Sequence, residues 1–111
     1  MAGVRAIALY PPPLDVEAFE KRYQAHLSWA PKKIPGLKKL AVGAVGRILA
    51  TPSEEVPPFY RIAELSFASM EALEAALQAP STAEVVADAV ALSTGGAPLF
   101  LIAEEGQDIP I

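Results

Sequence analysis

Apolar residues recur along this chain in two rhythms, and the switches between them mark out the elements. Val4 to Tyr10 (VRAIALY) is a short β-prone run halted by Pro11, Pro12 and Pro13, which cannot donate to a sheet ladder, so it reads as a first strand. The pattern then turns helical. Asp15 is a good N-cap for a helix over Val16 to about Ala30, Glu17 and Glu20 suit the positive end of its dipole, and Leu14 is placed to staple against Phe19. Pro31 and the Pro35-Gly36 pair end that helix. Leu37 to Leu49 (LKKLAVGAVGRIL) follows as a long strand in which Gly43 and Gly46 permit bending or close backbone approach. Thr51 to Pro58, with three prolines and two acids, reads as a mobile loop.

Phe59 to Phe67 (FYRIAELSF), rich in aromatic and branched residues, predicts a third strand. Ser69 caps a short helix over Met70 to Ala79 that Pro80 stops, and Ser81 with Glu84 has the spacing of a capping box for a further helix to about Leu92. Ser93, Thr94, Gly95 and Gly96 break it, and Pro98 to Glu104 (PLFLIAE) is the last strand. The order is βαββαβ with a split second helical segment. Right-handed crossovers then place both helical layers on one face of a four-stranded antiparallel sheet, a ferredoxin-like α+β domain spanning residues 1–111.

With helices on one face only, the other face ought to be polar. It is not. In the third strand Phe59, Ala63, Leu65 and Phe67 lie on one side and Tyr60 and Ile62 on the other; in the second, Leu40, Val42, Ala44 and Ile48 oppose Ala41, Val45 and Leu49. Apolar surface of that extent predicts a homodimer through the open sheet face. The alternative is that the second helical segment and the tail Gln107 to Ile111 wrap it.

Composition narrows the chemistry. Hydrophobic residues make up 52% of the 111, but no apolar run approaches the roughly 18 residues of a membrane helix, and the prolines after Tyr10 come too early for a signal peptide. The expectation is a cytoplasmic protein without membrane partners. There is no Cys and a single His, which removes disulfides, thiolate chemistry and any all-protein zinc site, so no metal is expected. Few Met, no Cys and 11 Pro give a thermophile-like composition.

The formal net charge of −4 argues against nucleic acid. All nine Lys and Arg lie between Arg5 and Arg61, whereas eight of the 13 acids follow Arg61, so the two halves attract when folded. Lys32-Lys33 and Lys38-Lys39 flank the Pro35-Gly36 turn, where they could draw an acidic ligand toward a pocket mouth. No G-x-S-x-G elbow, G-x-G-x-x-G run or phosphate-binding loop occurs, and no nucleotide cofactor is indicated.

What remains is the helix-one stripe. At 100° per residue Phe19, Tyr23, His26 and Ala30 share an inward face, flanked by Leu27 and Trp29. A lone imidazole among aromatics serves as general acid or base, or as a core histidine bonded to a backbone carbonyl or a Tyr hydroxyl. Tyr23 is its hydrogen-bond partner or plain packing, and Trp29 is a candidate pocket wall. Tyr10, Tyr60 and Glu64 are further ligand-binding candidates; Glu64, within an apolar strand, requires a Lys or Arg partner.

These residues together resemble the EthD family of the dimeric α+β barrel superfamily. The resemblance rests on LYPPP at Leu9 to Pro13, Asp15, Phe19, Tyr23, His26 and Leu27, KIPGL at Lys33 to Leu37, AELSFASMEALEAAL from Ala63 to Leu77, Ala79-Pro80-Ser81 and the closing Ala103-Glu104. It implies a homodimer binding a small hydrophobic or aromatic molecule between helices and sheet, with His26 matching the family's helix-one histidine. The implied activity is a cofactor-independent oxidoreductase, isomerase or cyclase, with His26 moving a proton and Tyr23 orienting it. The alternative is a non-catalytic binding accessory of an oxidative degradation system. No cofactor is indicated, although some relatives in the superfamily bind haem. Leu27 stands where related sequences often carry Pro, which lets the helix run on toward Pro31.

Overall fold

The computed structural model describes residues 3–46, 57–104, 107 and 109–111. Its centre is the antiparallel pairing of Val4–Tyr10 (β1) with Arg61–Phe67 (β3), which sets Val4 opposite Phe67 and Tyr10 opposite Arg61. Lys39–Ala44 (β2) joins the outer side of β3 and Leu99–Ala103 (β4) the outer side of β1, giving the order β2-β3-β1-β4. Helix Val16–Trp29 (α1) makes the crossover from β1 to β2, while Met70–Gln78 (α2) and Pro80–Leu92 (α3) make the crossover from β3 to β4. The fold is the ferredoxin-like α+β arrangement expected from the order of elements.

Alternation decides which strand residues meet the helices. Val4, Ala8 and Tyr10 of β1 and Ala63 and Phe67 of β3 are buried beneath them. From above come Phe19, Tyr23 and His26 of α1, Leu73 and Ala76 of α2, and Val85, Ala89 and Leu92 of α3, each set at helical spacing of three or four. Leu73 and Leu92 are 1% exposed, so each contributes about 2 kcal/mol from the apolar surface it removes from water. The core nevertheless falls into two clusters. One gathers Val4, Ile34, Phe67, Leu73 and Val85, the other Tyr10, Phe19, Tyr23 and Leu92, and Leu65 packs against both.

The opposite face of the sheet carries Ile7 and Leu9 of β1, Ile62 of β3, and Leu99 and Leu101 of β4, with an Arg5–Glu64 ion pair at 3.3 Å among them. No described helix covers it. The described tail residues do not wrap it either, since Gln107, Ile109, Pro110 and Ile111 are exposed to solvent.

Local chemistry accounts for most of the helix boundaries. Asp15 caps α1 by accepting from the Ala18 amide at 3.1 Å, and Ser69 caps α2 by accepting from Ala72 at 3.1 Å. Leu14 does not staple to Phe19: it is 84% exposed, because Phe19 turns inward to stack on Tyr23 while the Leu14 amide is held by Thr94 Oγ1 at 3.2 Å. Ser81 and Glu84 form no capping box. Helix α3 begins two residues earlier than that cap would set it, at Pro80, whose missing amide hydrogen is no loss in a first turn, and Ala79 occupies the cap position without a side-chain bond.

β2 is shorter than expected, since Leu37 bonds back to Ile34 in the turn. The remainder of that expected strand and most of the expected 51–58 loop lie outside the described residues. Neither Gly43 nor Gly46 answers to a close approach: a Cβ on Gly43 would make an ordinary contact with Ile62 at 3.7 Å, and one on Gly46 would meet nothing. Sterics demand glycine at Gly3, where a Cβ would overlap the Phe67 carbonyl oxygen, and at Gly95, where it would overlap that of Pro12. That approach, with the Thr94–Leu14 bond, ties the end of α3 to the proline turn that follows β1.

Gly95→Ala should therefore cost on the order of 2–3 kcal/mol in urea unfolding, since backbone rather than a flexible side chain must yield. Gly46→Ala, in open space, should change stability by less than about 0.5 kcal/mol.

Candidate functional site

Between the two core clusters lies a cavity of about 340 Å³. Alanines among the larger lining residues leave it room: Ala6 and Ala8 of β1, Ala63 of β3, Ala30 after α1, Ala76 of α2 and Ala89 of α3 all line it. Leucine or phenylalanine at these places would fill the space, as close packing elsewhere in protein interiors does. On the β4 side Phe100 and Ile102 line the cavity while remaining about half exposed, and there it opens to solvent.

One wall is the stripe of α1. Phe19 and Tyr23 stack with centroids 5.5 Å apart, Tyr23 and His26 continue the column at 6.1 Å, and Trp29 meets the imidazole edge-on at 5.6 Å. Tyr10 packs edge-on against both Phe19 and Tyr23. His26 is 6% exposed, and its Nδ1 lies 2.7 Å from Asp88 Oδ2 on α3. A carboxylate only accepts, so Nδ1 carries the hydrogen and donates it; in a neutral imidazole Nε2 then keeps its lone pair. The other oxygen of Asp88 accepts from Arg22 at 3.3 Å, so the carboxylate is fixed from two sides.

Among the expected site residues, Tyr10, Tyr23 and His26 line the cavity, and Phe19, Trp29, Tyr60 and Glu64 do not. Phe19 backs Tyr23 from within the core. Trp29 supports the imidazole and packs on the other core cluster instead of walling the cavity. Tyr60 donates to Glu20 Oε1 at 2.8 Å, and Glu64 has the arginine partner its strand position required, but on the opposite face of the sheet. The paired lysines around Pro35-Gly36 are exposed and none lines the cavity. Tyr23 is not the partner of His26. The two rings lie nearly parallel, 14° apart, and the Tyr23 hydroxyl is buried with no partner among the described residues. Burial pushes that hydroxyl up to about 12, so it stays a protonated donor; Tyr10 is raised as well, chiefly by burial.

Sequence reasoning missed Asp88. The available signal was an acid set among alanines and valines in VVADAVAL, together with the attraction expected between the basic first half and the acidic second half. Arg5–Glu64, Arg22–Asp88 and His26–Asp88 all join those halves.

The comparisons with known proteins agree with the fold. The EthD domain family matches residues 11–94. The chain belongs to the EthD family. An ethyl tert-butyl ether D (EthD) family protein from Bacillus halodurans is 31% identical, with a TM-score of 0.76 over 94% of this chain and 99% of that one. A dimeric ferredoxin-like protein of unknown function from Jannaschia sp. is 19% identical, with a TM-score of 0.64 over 93% and 99% of the two chains. SnoaB, a cofactor-independent oxygenase from Streptomyces nogalater, is 14% identical, with a TM-score of 0.64 over the whole of both chains. The last two share the EthD protein's fold. No curated protein matches the sequence. Among the described residues no lysine or arginine lines the cavity to pair with the propionates of a haem. No metal-ligating cluster occurs among the described residues.

Beside the cavity, Arg61 sits over the rings of Tyr23, at 5.1 Å, and Tyr60, at 5.8 Å, and grips both oxygens of Glu20 at 2.5 and 2.6 Å. Arg61 thereby holds the Glu20 carboxyl below its usual value of 4.5. A lowered folded-state value means that the pair stabilises the fold above pH 4.5 and loses its contribution as pH falls through the folded value. The stability advantage of the native protein over Arg61→Met, followed by urea unfolding from pH 7 downward, should shrink steadily below about pH 4.5.

Proposed function

We propose that this EthD protein is a metal-free homodimer that binds a small apolar or aromatic molecule in the cavity and moves a proton on it, with His26 as general acid and base. The supporting observation is the imidazole that lines an apolar cavity with Nδ1 held by Asp88 at 2.7 Å. In that arrangement Nε2 takes a proton from a C–H beside a carbonyl or from a phenolic O–H. The imidazolium that forms is stabilised by the Asp88 carboxylate, and the proton is returned in the second half of the cycle. Tyr23, whose ring stacks on the imidazole with centroids 6.1 Å apart, orients it. Asp88 and Arg22 act through His26 as positioning residues. A cofactor-independent oxygenation or isomerisation begins with such a proton transfer, which suits the likeness in fold to SnoaB.

The natural ligand need not be known to test this. 2-Tetralone, a bicyclic aromatic ketone with acidic protons next to its carbonyl, reports proton transfer through deuterium exchange in heavy water, followed by NMR. The native protein should accelerate the exchange. His26→Ala should lower the acceleration by ~10²–10⁴, and Asp88→Asn by about tenfold or more, with both variants still folded. Binding without any accelerated exchange would instead identify a carrier, the accessory role in an oxidative degradation system.

The dimer reading rests on the open sheet face, where Ile7, Leu9, Ile62, Leu99 and Leu101 form a continuous apolar surface with no described element over it. Sedimentation at micromolar concentration should give a dimer for the native chain and a monomer for Ile62→Glu, which places a charge in the middle of that face. A native monomer at that concentration would remove the dimer from the proposal.

A further inference from the structure

The cavity has an apolar mouth that no described residue covers. Leu77 of α2, Val86 of α3, and Phe100 and Ile102 of β4 all line it, yet each is between 38% and 52% exposed. The chain carries a second apolar feature without a partner. Ile109 is 72% exposed and Ile111 wholly so, on either side of Pro110, whose fixed φ favours an extended tail. The open sheet face is also a small base for a dimer. Its four strands of five to seven residues, about 4.8 Å apart and rising about 3.4 Å per residue, cover a footprint of about 400 Å². A stable interface usually buries about 800 Å² on each partner. A second copy that covers the sheet alone falls well short of that, and one that also covers the β4 rim and seats two isoleucines comes closer to it.

We infer that a second copy of this chain closes the cavity mouth, its Ile109 and Ile111 seated on the rim of Leu77, Val86, Phe100 and Ile102. This rests on the proposed dimer and adds that each site is completed by the other chain. The reach is sufficient. From Ala103 to Ile111 an extended chain covers about 27 Å, while packed sheets lie about 10 Å apart, so the tail of one protomer can cross to its partner and round the edge at β4. Leu99 and Leu101 on the open face and Phe100 and Ile102 at the mouth belong to the same strand, so the tail contact continues the sheet contact without a gap. Every charged residue after Arg61 is acidic, which leaves apolar contact to hold the tail there; added salt therefore strengthens the closure by screening the repulsion between acids.

The native chain has no cysteine, so a pair introduced at the tail and the rim reports their contact directly. The full-length double variant Leu77→Cys with Ile111→Cys is oxidised mildly; peptide mapping reads whether positions 77 and 111 are joined, and a non-reducing gel reads whether the link joins two chains. The expected result is a covalent dimer through that link, absent when Ile62→Glu is added to break the sheet contact. A 77–111 link within one chain overturns the inference, as does a dimer in sedimentation with no such link, and in both cases the sheet dimer itself can stand. A monomer in sedimentation with no link removes the closure and the dimer together. Both tail residues are exposed in the single chain, so Ile109→Glu with Ile111→Glu leaves the fold intact. That pair should raise the dimer dissociation constant about tenfold or more, and the matching pair of leucines should keep it within about twofold. A dissociation constant unchanged by the glutamates also overturns the closure.

Discussion

The space left open between the sheet and its helices organises this molecule. Ferredoxin-like domains of this size have one layer of helices over one sheet, and large side chains normally knit the two layers together. Here Ala8 and Ala63 face each other across the central strand pair, with Ala6 beside them, while Ala76 and Ala89 descend from the helices. The core divides around that hollow into two clusters bridged by Leu65. An apolar void forgoes dispersion contacts, on the order of 24 cal/mol for each Å³ that stays empty. The clusters on either side offset that loss, with Leu73 at one end and Tyr23 and Leu92 at the other, each about 1% exposed. Stability and cavity space are therefore in direct competition over the same alanines.

A second constraint follows from placing polar groups at the edge of such a hollow. His26 is buried, and a buried imidazole requires partners for its nitrogens. Asp88 supplies one, and Arg22 steadies Asp88 from the solvent side. The other nitrogen is left toward a cavity whose lining is overwhelmingly hydrocarbon. The stacked column of Phe19, Tyr23 and His26 holds the ring plane, because turning the imidazole would break the parallel contact with Tyr23 and the edge contact with Trp29. One hydrogen bond fixes the tautomer and two aromatic contacts fix the orientation. A proton-transfer group requires both.

The elements and their order were legible because each carries a local signal. The prolines after Tyr10, the caps Asp15 and Ser69, and the inward stripe of α1 all act over a few residues, and the structure places them as the pattern requires. Expectations failed where a longer-range contact decided the outcome. Leu14 could not staple, because Phe19 was drawn into the aromatic column and Thr94, 80 residues on, held the Leu14 amide. Ser81 lost the cap position to the better first-turn geometry of Pro80. Gly95 is required by Pro12, a contact across the chain that no local pattern announces. The site shows the same division. His26, Tyr23 and Tyr10 follow from periodicity, whereas Asp88 belongs to a helix whose rotation about its own axis is set only when it docks.

β4 gathers these constraints in five residues. Leu99 and Leu101 point to the open sheet face and Phe100 and Ile102 to the cavity, so the strand is apolar on both sides. A strand with one face in solvent would alternate apolar and polar residues, and the central strand β3 does so in part through Glu64 and Ser66. The continuous run LFLIA is the pattern of a strand whose two faces both have partners. One face has the cavity, and the sequence written on the other is that of a surface meant to be covered. A polar substitution on either side of this strand therefore tests a different contact, even though adjacent positions are only one residue apart.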